Sequence, residues 1–107
     1  MNWQYEDGRI YYNNDEGELM AETTFVGNED GVINIDHTYV NPALRGQGIA
    51  GKMMAVVAEH FKKEGRKVTA TCVYAYKWLK KNEDTYESIM SENFDNQAVA
   101  CKIDGRR

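Results

Sequence analysis

The chain has 107 residues and a net charge of −4 from 17 acidic and 13 basic side chains. That length holds one core and is too short for two nucleotide-binding halves, and the negative balance argues against a nucleic-acid binder. No apolar run reaches membrane-spanning length, the polar start Met1 to Asp7 is no signal peptide, and Cys72 and Cys101 form no CxxC pair. The expected setting is therefore a reducing cytoplasm, with no membrane partner and a monomer favoured.

Arg9-Ile10-Tyr11-Tyr12 reads as a first strand, closed by the turn cluster Asn13 to Gly17. Leu19, Ala21, Thr23 and Phe25 then alternate with Met20, Glu22, Thr24 and Val26, the two-residue period of a second strand. After the turn Gly27 to Gly31, Val32 to Val40 makes a third strand, with Ile33, Ile35, His37 and Tyr39 on one face if it is regular. These three form an antiparallel meander. Pro42, the only proline, ends it. Ala50, Met53, Met54, Val57, Ala58 and Phe61 then fall on one stripe of a long helix that Gly65 stops. Lys67 to Cys72 is a short strand, and residues 73–81 form a second helix with Tyr74, Trp78 and Lys81 on one face. Glu83 to Met90 is a loop with a short terminal element. Residues 1–90 thus make one domain, and 91–107 form an extension without assignment.

The third strand, the long helix and the next strand make a β-α-β unit, whose strands are parallel and whose crossover is right-handed. Both strand ends and the helix N-terminus then open on one edge of the sheet, where ligands of open sheets bind. That edge would gather His37, Cys72 and the segment Arg45-Gly46-Gln47-Gly48-Ile49-Ala50-Gly51-Lys52. Charge is distributed to match. Residues 1–40 carry nine acids against Arg9 alone, whereas 41–81 carry nine bases against Glu59 and Glu64. The basic stretch reads either as solvated helix faces or as a rim around an anion.

Three glycines before a helix are a device for phosphate, because the backbone can approach an anion and the helix dipole attracts it. Gly46-x-Gly48-x-x-Gly51 matches the dinucleotide fingerprint, but the next strand ends in Thr71-Cys72 without the required acid. Gly46-x4-Gly51-Lys52 approaches the NTPase phosphate loop, but Met53 stands where a hydroxyl must hold magnesium. Arg45-x-x-Gly48-x-Ala50 fits a third pattern, Gln/Arg-x-x-Gly-x-Gly/Ala, and resembles the GNAT superfamily of N-acetyltransferases. The longer run His37-Thr38-Tyr39-Val40-Asn41-Pro42-Ala43-Leu44-Arg45-Gly46-Gln47-Gly48-Ile49-Ala50 resembles the signature of short, YjdJ-type acetyltransferase-related domains, as does Cys72-Val73-Tyr74. The similarity spans roughly residues 8–90. Tyr39, Val73 and the stretch 82–86 depart from it.

This resemblance implies an α+β (α/β) fold, a minimal GNAT-like acyl-CoA N-acyltransferase of antiparallel meander plus parallel β-α-β unit. It implies that Arg45, Gly46, Gln47, Gly48, Ile49, Ala50 and Gly51 hold the pyrophosphate of acetyl-CoA, while Tyr39 and Val40 pair with the pantetheine arm. Acetyl transfer further needs a proton acceptor and donors to the oxyanion, and backbone N–H groups at a splayed strand can serve as those donors. No catalytic acid stands at the sheet edge, and Asp36 is expected on the face opposite His37. Cys72, ahead of the second helix and assisted by His37, is the candidate acetyl acceptor or proton relay. The competing reading makes both structural. The expected function is acetyl-CoA-dependent N-acetyltransfer to an amine, a small molecule or a peptide lysine, with no metal. Its rival is a CoA-binding module with little catalysis. His60 is expected at the surface, Trp3 and Trp78 in packing, and Cys101 carries no argument.

Overall fold

In the computed structural model, which describes residues 2–28 and 30–91, five strands form one sheet in sequence order. They are β1 (Gln4–Glu6), β2 (Arg9–Asn13), β3 (Leu19–Gly27), β4 (Ile33–Val40) and β5 (Val68–Ala70). β1 to β4 pair antiparallel, and β4 pairs with β5 in parallel. The meander and the β-α-β unit are therefore as expected, with β1 added. Its three residues are all exposed, so no hydrophobic alternation marks it. The signal that does mark it is Asp7-Gly8, a two-residue hairpin loop between paired Glu6 and Arg9, with Gly8 at φ 87°.

Helix α1 (Ile49–Glu64) crosses from β4 to β5 and buries Ile49, Met53, Met54, Val57, Ala58 and Phe61. The stripe is the expected one, shifted at its start: Ile49 is buried and Ala50 only half-buried. At its end Gly65 sits at φ 70°, and the N–H groups of Gly65 and Arg66 donate to Lys62 O (3.2 Å) and Phe61 O (2.9 Å). That pairing needs the left-handed conformation glycine adopts freely.

Helix α2 (Val73–Lys81) has the expected bounds, and Ala75, Tyr76 and Leu79 enter the core. The stripe of Tyr74, Trp78 and Lys81 is less buried. Tyr74 and Trp78 instead flank the first turn of α1, where a β-carbon on Gly51 would lie 3.7 Å from Trp78 Nε1. The segment expected as loop folds into α3 (Glu83–Tyr86) and a 3₁₀ turn (Glu87–Ile89), and Met90 bridges Val68 beside β5. Trp3 packs on the core rim against Tyr12, and His60 is half-buried between Tyr5 and Phe61. Cys101 and most of the C-terminal extension lie outside the described residues.

Tyr86 ties the last elements to α1. It is buried, donates its hydroxyl to Glu59 Oε2 (2.8 Å) and lies 5.5 Å from the Trp78 ring. Burial, reinforced by that carboxylate, pushes its phenol up to about 12 from 10.0. A raised phenol favours the folded state fully below pH 10, and the contribution is lost as pH climbs through about 12. Tyr86→Phe is therefore expected to flatten the fall in stability over that window. Urea midpoints measured at intervals from pH 9 upward check it, and an unchanged slope would contradict the assignment.

Candidate functional site

The loop after β4 is braced before it reaches the glycines. Asn41 accepts the Ala43 N–H on its side-chain oxygen (2.9 Å) and donates to Leu19 O (3.2 Å), which fixes the 3₁₀ turn Pro42–Leu44 against β3. Arg45 then folds back, its Nε donating to Val40 O (3.3 Å). Gly46 and Gly48 follow at φ 85° and 72°, a region other L-residues enter at a cost. Gly48 is the N-cap of α1, and it provides no side-chain cap. The first turn of that helix holds no acid. The dipole end is thus left without an internal counter-charge.

A cleft of about 350 Å³ opens here, lined by Val40, Leu44, Arg45, Gly46, Gly48, Ile49, Ala50, Gly51 and Tyr74. Seven of the nine residues expected to hold the donor therefore line one cavity. Gln47 does not, since its amide turns back to Ala43 O (3.4 Å). Tyr39 does not either, because neighbours along a strand alternate faces and Val40 takes the cleft side. The other two liners, Leu44 and Tyr74, were not among the residues expected there. Burial, and secondarily the nearby Cys72, raise the Tyr74 phenol above the usual range. A larger groove of about 960 Å³ lies between Tyr5 of β1 and Val56 and His60 of α1, but it carries neither glycine loop nor thiol.

Beside the cleft, β4 and β5 part company. Their ladder covers only Ile33–Ile35 against Val68–Ala70. Ile35 O closes it by accepting the N–H groups of both Thr71 (3.1 Å) and Cys72 (3.2 Å). Asn34 secures the knot, donating to Thr71 Oγ1 (3.1 Å) and accepting the Thr71 N–H (3.0 Å). Cys72 then turns away as the N-cap of α2. Among the described residues β4 has no neighbouring strand on that edge from Asp36 onward.

Strand β4 is not regular, and this redirects its side chains. β3 pairs Thr24 with His37 and Phe25 with Ile35, so Asp36 is an extra residue in a β-bulge. Thr24 donates to Asp36 Oδ1 (2.6 Å) and pairs with His37. Asp36 and His37 therefore project on the same face, both exposed, contrary to the expected opposition. Thr38 returns to the face of Ile35 and brings its Oγ1 to 3.6 Å from Cys72 Sγ. The expected pairing of His37 with Cys72 is not what the fold makes. A one-residue insertion moves the histidine to the other side of the sheet and gives the thiol a hydroxyl.

Among the described residues no group of His, Cys, Asp or Glu could hold a metal ion, and no helix is long and apolar enough to cross a membrane.

The family model for GCN5-related N-acetyltransferases matches residues 9–89. The chain belongs to that family. The solution structure of a GCN5-like protein from Staphylococcus aureus, proposed to be an N-acetyltransferase, superposes with a TM-score of 0.68 at 31% identity. The alignment covers 84% of this chain and 87% of that one. Two larger structures are less similar. A ribosomal-protein-alanine N-acetyltransferase from Brucella melitensis gives 0.45 at 22% identity, over 78% of this chain and 59% of its own. A nourseothricin acetyltransferase gives 0.47 at 17%, over 58% and 38%. No curated protein sequence matches the chain. Membership makes acetyl transfer to nitrogen the reaction class of this GNAT domain.

Proposed function

We propose that this GNAT domain transfers the acetyl group of acetyl-CoA to an amine, with Cys72 as the transient acceptor. One observation carries the donor half: Val40, which lines the glycine-bearing cleft, ends the stretch of β4 that pairs with β3 on one edge and, among the described residues, with no strand on the other. Arg45, Gly46, Gly48, Ile49, Ala50 and Gly51 would surround the pyrophosphate, with Gln47 closing the turn. The open edge of β4 at Tyr39 and Val40 would hydrogen-bond the amide groups of the pantetheine arm, as an added strand would.

Cys72 lies where such an arm would end. In the first step its sulfur attacks the thioester carbonyl. A C–S bond to Cys72 forms, the bond to CoA breaks, and the thiol proton ends on the CoA sulfur. In the second step a neutral acceptor amine attacks the acyl-cysteine. The N–C bond forms, and the amine's proton returns to Cys72. Backbone N–H groups freed where β4 and β5 separate would bind the oxyanion in both steps. The acceptor would come from the face bearing Asp36 and His37, since α1 and α2 occupy the other. The acidic balance of the first forty residues suits a cationic amine.

A second reading is a CoA-binding module with little catalysis. It is favoured by the surroundings of Cys72, whose hydrogen-bonding side-chain partner is a hydroxyl and not a base. Calorimetry with CoA and acetyl-CoA, followed by mass spectrometry for acetyl-Cys72 and a panel of primary amines, separates the two. Binding with acylated Cys72 and an acetylated amine supports the transferase. Binding alone supports the module, and no binding of either compound defeats both.

A further inference from the structure

Helix α1 carries two stripes, and the core uses one of them. Met53, Met54, Val57, Ala58 and Phe61 are buried against the sheet side. On the opposite side Lys52, Ala55, Val56, Glu59 and Lys63 recur at the same helical spacing. Lys52, Glu59 and Lys63 are exposed, and Ala55 and Val56 are half-buried. Ala55, Val56, Glu59 and Lys63 line the groove of about 960 Å³. Its rim is Tyr5, 54% exposed, with its ring centre 5.1 Å from that of His60.

The order of these residues is self-complementary. A second α1 can lie antiparallel across the first, with a two-fold axis midway between Ala55 and Val56. Lys52 of each copy then stands at the height of Glu59 in the other, so the same ion pair forms twice. Ala55 and Val56 of both copies meet at the centre, where small side chains let two helices approach closely. The axis also keeps both Tyr5 rings on one side of the helix pair, where they cover that centre. Neither charge is committed inside the chain. Among the described residues Lys52 has no ion pair, and Glu59 uses Oε2 for the Tyr86 hydroxyl, leaving Oε1.

We propose that this outer face of α1 is the contact surface of a symmetric homodimer, in place of the expected monomer. A partner of another kind would not require opposite charges at equal distances from the middle of the stripe, whereas a second copy does. The proposal does not depend on what the glycine loop binds.

Sedimentation equilibrium of the full chain, with reductant present, is expected to show a monomer–dimer equilibrium with a Kd of about 10–100 μM, since two helices and two tyrosines make a small interface. Lys52→Glu puts like charges opposite each other at both ends and should weaken association about tenfold or more. Glu59→Lys should do the same. An equimolar mixture of the two variants restores opposite charges and should associate within about threefold of the parent Kd. Ala55→Arg, which fills the centre, should leave the chain monomeric. It also keeps the proposal testable if Glu59→Lys, without its bond to Tyr86, fails to fold by circular dichroism. A parent chain that stays monomeric up to about 500 μM overturns the proposal and leaves the groove to a different partner. A dimer untouched by Lys52→Glu and Ala55→Arg overturns it too, as does a mixture that associates no more tightly than either variant alone.

Discussion

Cys72→Ala is expected to lower the rate of acetyl transfer by about 100-fold or more while leaving the Kd for CoA within about twofold. The two halves of this expectation come from different parts of the structure. The cleft proposed for the donor is built from the end of β4, the glycine loop and Tyr74, and Cys72 is not among its liners. The sulfur instead sits beyond Val40 along the open edge of β4, against Thr38. Removing it should therefore spare ground-state binding and remove only a covalent step. Stability should change little, since Cys72 is half-buried, caps α2 through its backbone alone, and leaves its hydrogen bond to Ile35 O intact. Steady-state release of CoA with a saturating amine, alongside calorimetry, measures both quantities. Equal rates for Cys72→Ala and the parent would mean that the amine attacks the thioester directly, and Cys72 would then be a packing residue.

The parts of this fold that could be read from sequence are those where hydrophobic period and backbone chemistry agree. β3 alternates through its middle, where Ala21 and Thr23 are buried and Glu22 and Thr24 only half-buried. The stripe of α1 and its glycine stop are equally plain. The backbone of the glycine loop was legible for a related reason: glycines ahead of the helix mark a left-handed segment, and Gly46 and Gly48 both have positive φ. What failed depended on register. In β4, alternation predicted that Ile35 and His37 share a face, and Asp36 breaks that rule by standing opposite nothing on β3. A bulge leaves no compositional trace, since Asp36 and His37 are each unremarkable on an exposed face. Every side chain beyond it changes sides, so the error fell on the residues with the chemistry, placing His37 at the thiol in place of Thr38. In α2 the shared face of Tyr74 and Trp78 was legible, but not what it covers. Both side chains flank the first turn of α1 at Gly51, which has no side chain to fill the space beside them.

The start of α1 supplies the sharpest test of the cleft, through two glycines three residues apart. Gly48→Val is expected to weaken CoA binding by about 10- to 100-fold and to lower Tm by several degrees. Space is not the reason, because a β-carbon at Gly48 would meet nothing within 4 Å. The cost is conformational. At φ 72° and ψ 17° a β-branched residue is strained by about 1–2 kcal/mol or more, and the chain relieves it by swinging the N-terminus of α1 away from the cleft. Gly51→Ala should behave differently. Gly51 lies inside the helix without a positive φ, and its new methyl would rest 3.7 Å from Trp78 Nε1 and 4.0 Å from Tyr74 Oη, an ordinary packing distance. Alanine there should stabilise the protein by about 0.5–1 kcal/mol through its helix preference. The same methyl stands in the wall of the cleft, so CoA binding should still weaken severalfold. Tm moving in opposite directions while affinity falls in both variants can arise only if the ligand occupies the space between the loop and α2. Full CoA affinity in Gly48→Val would remove the glycine loop from the donor site.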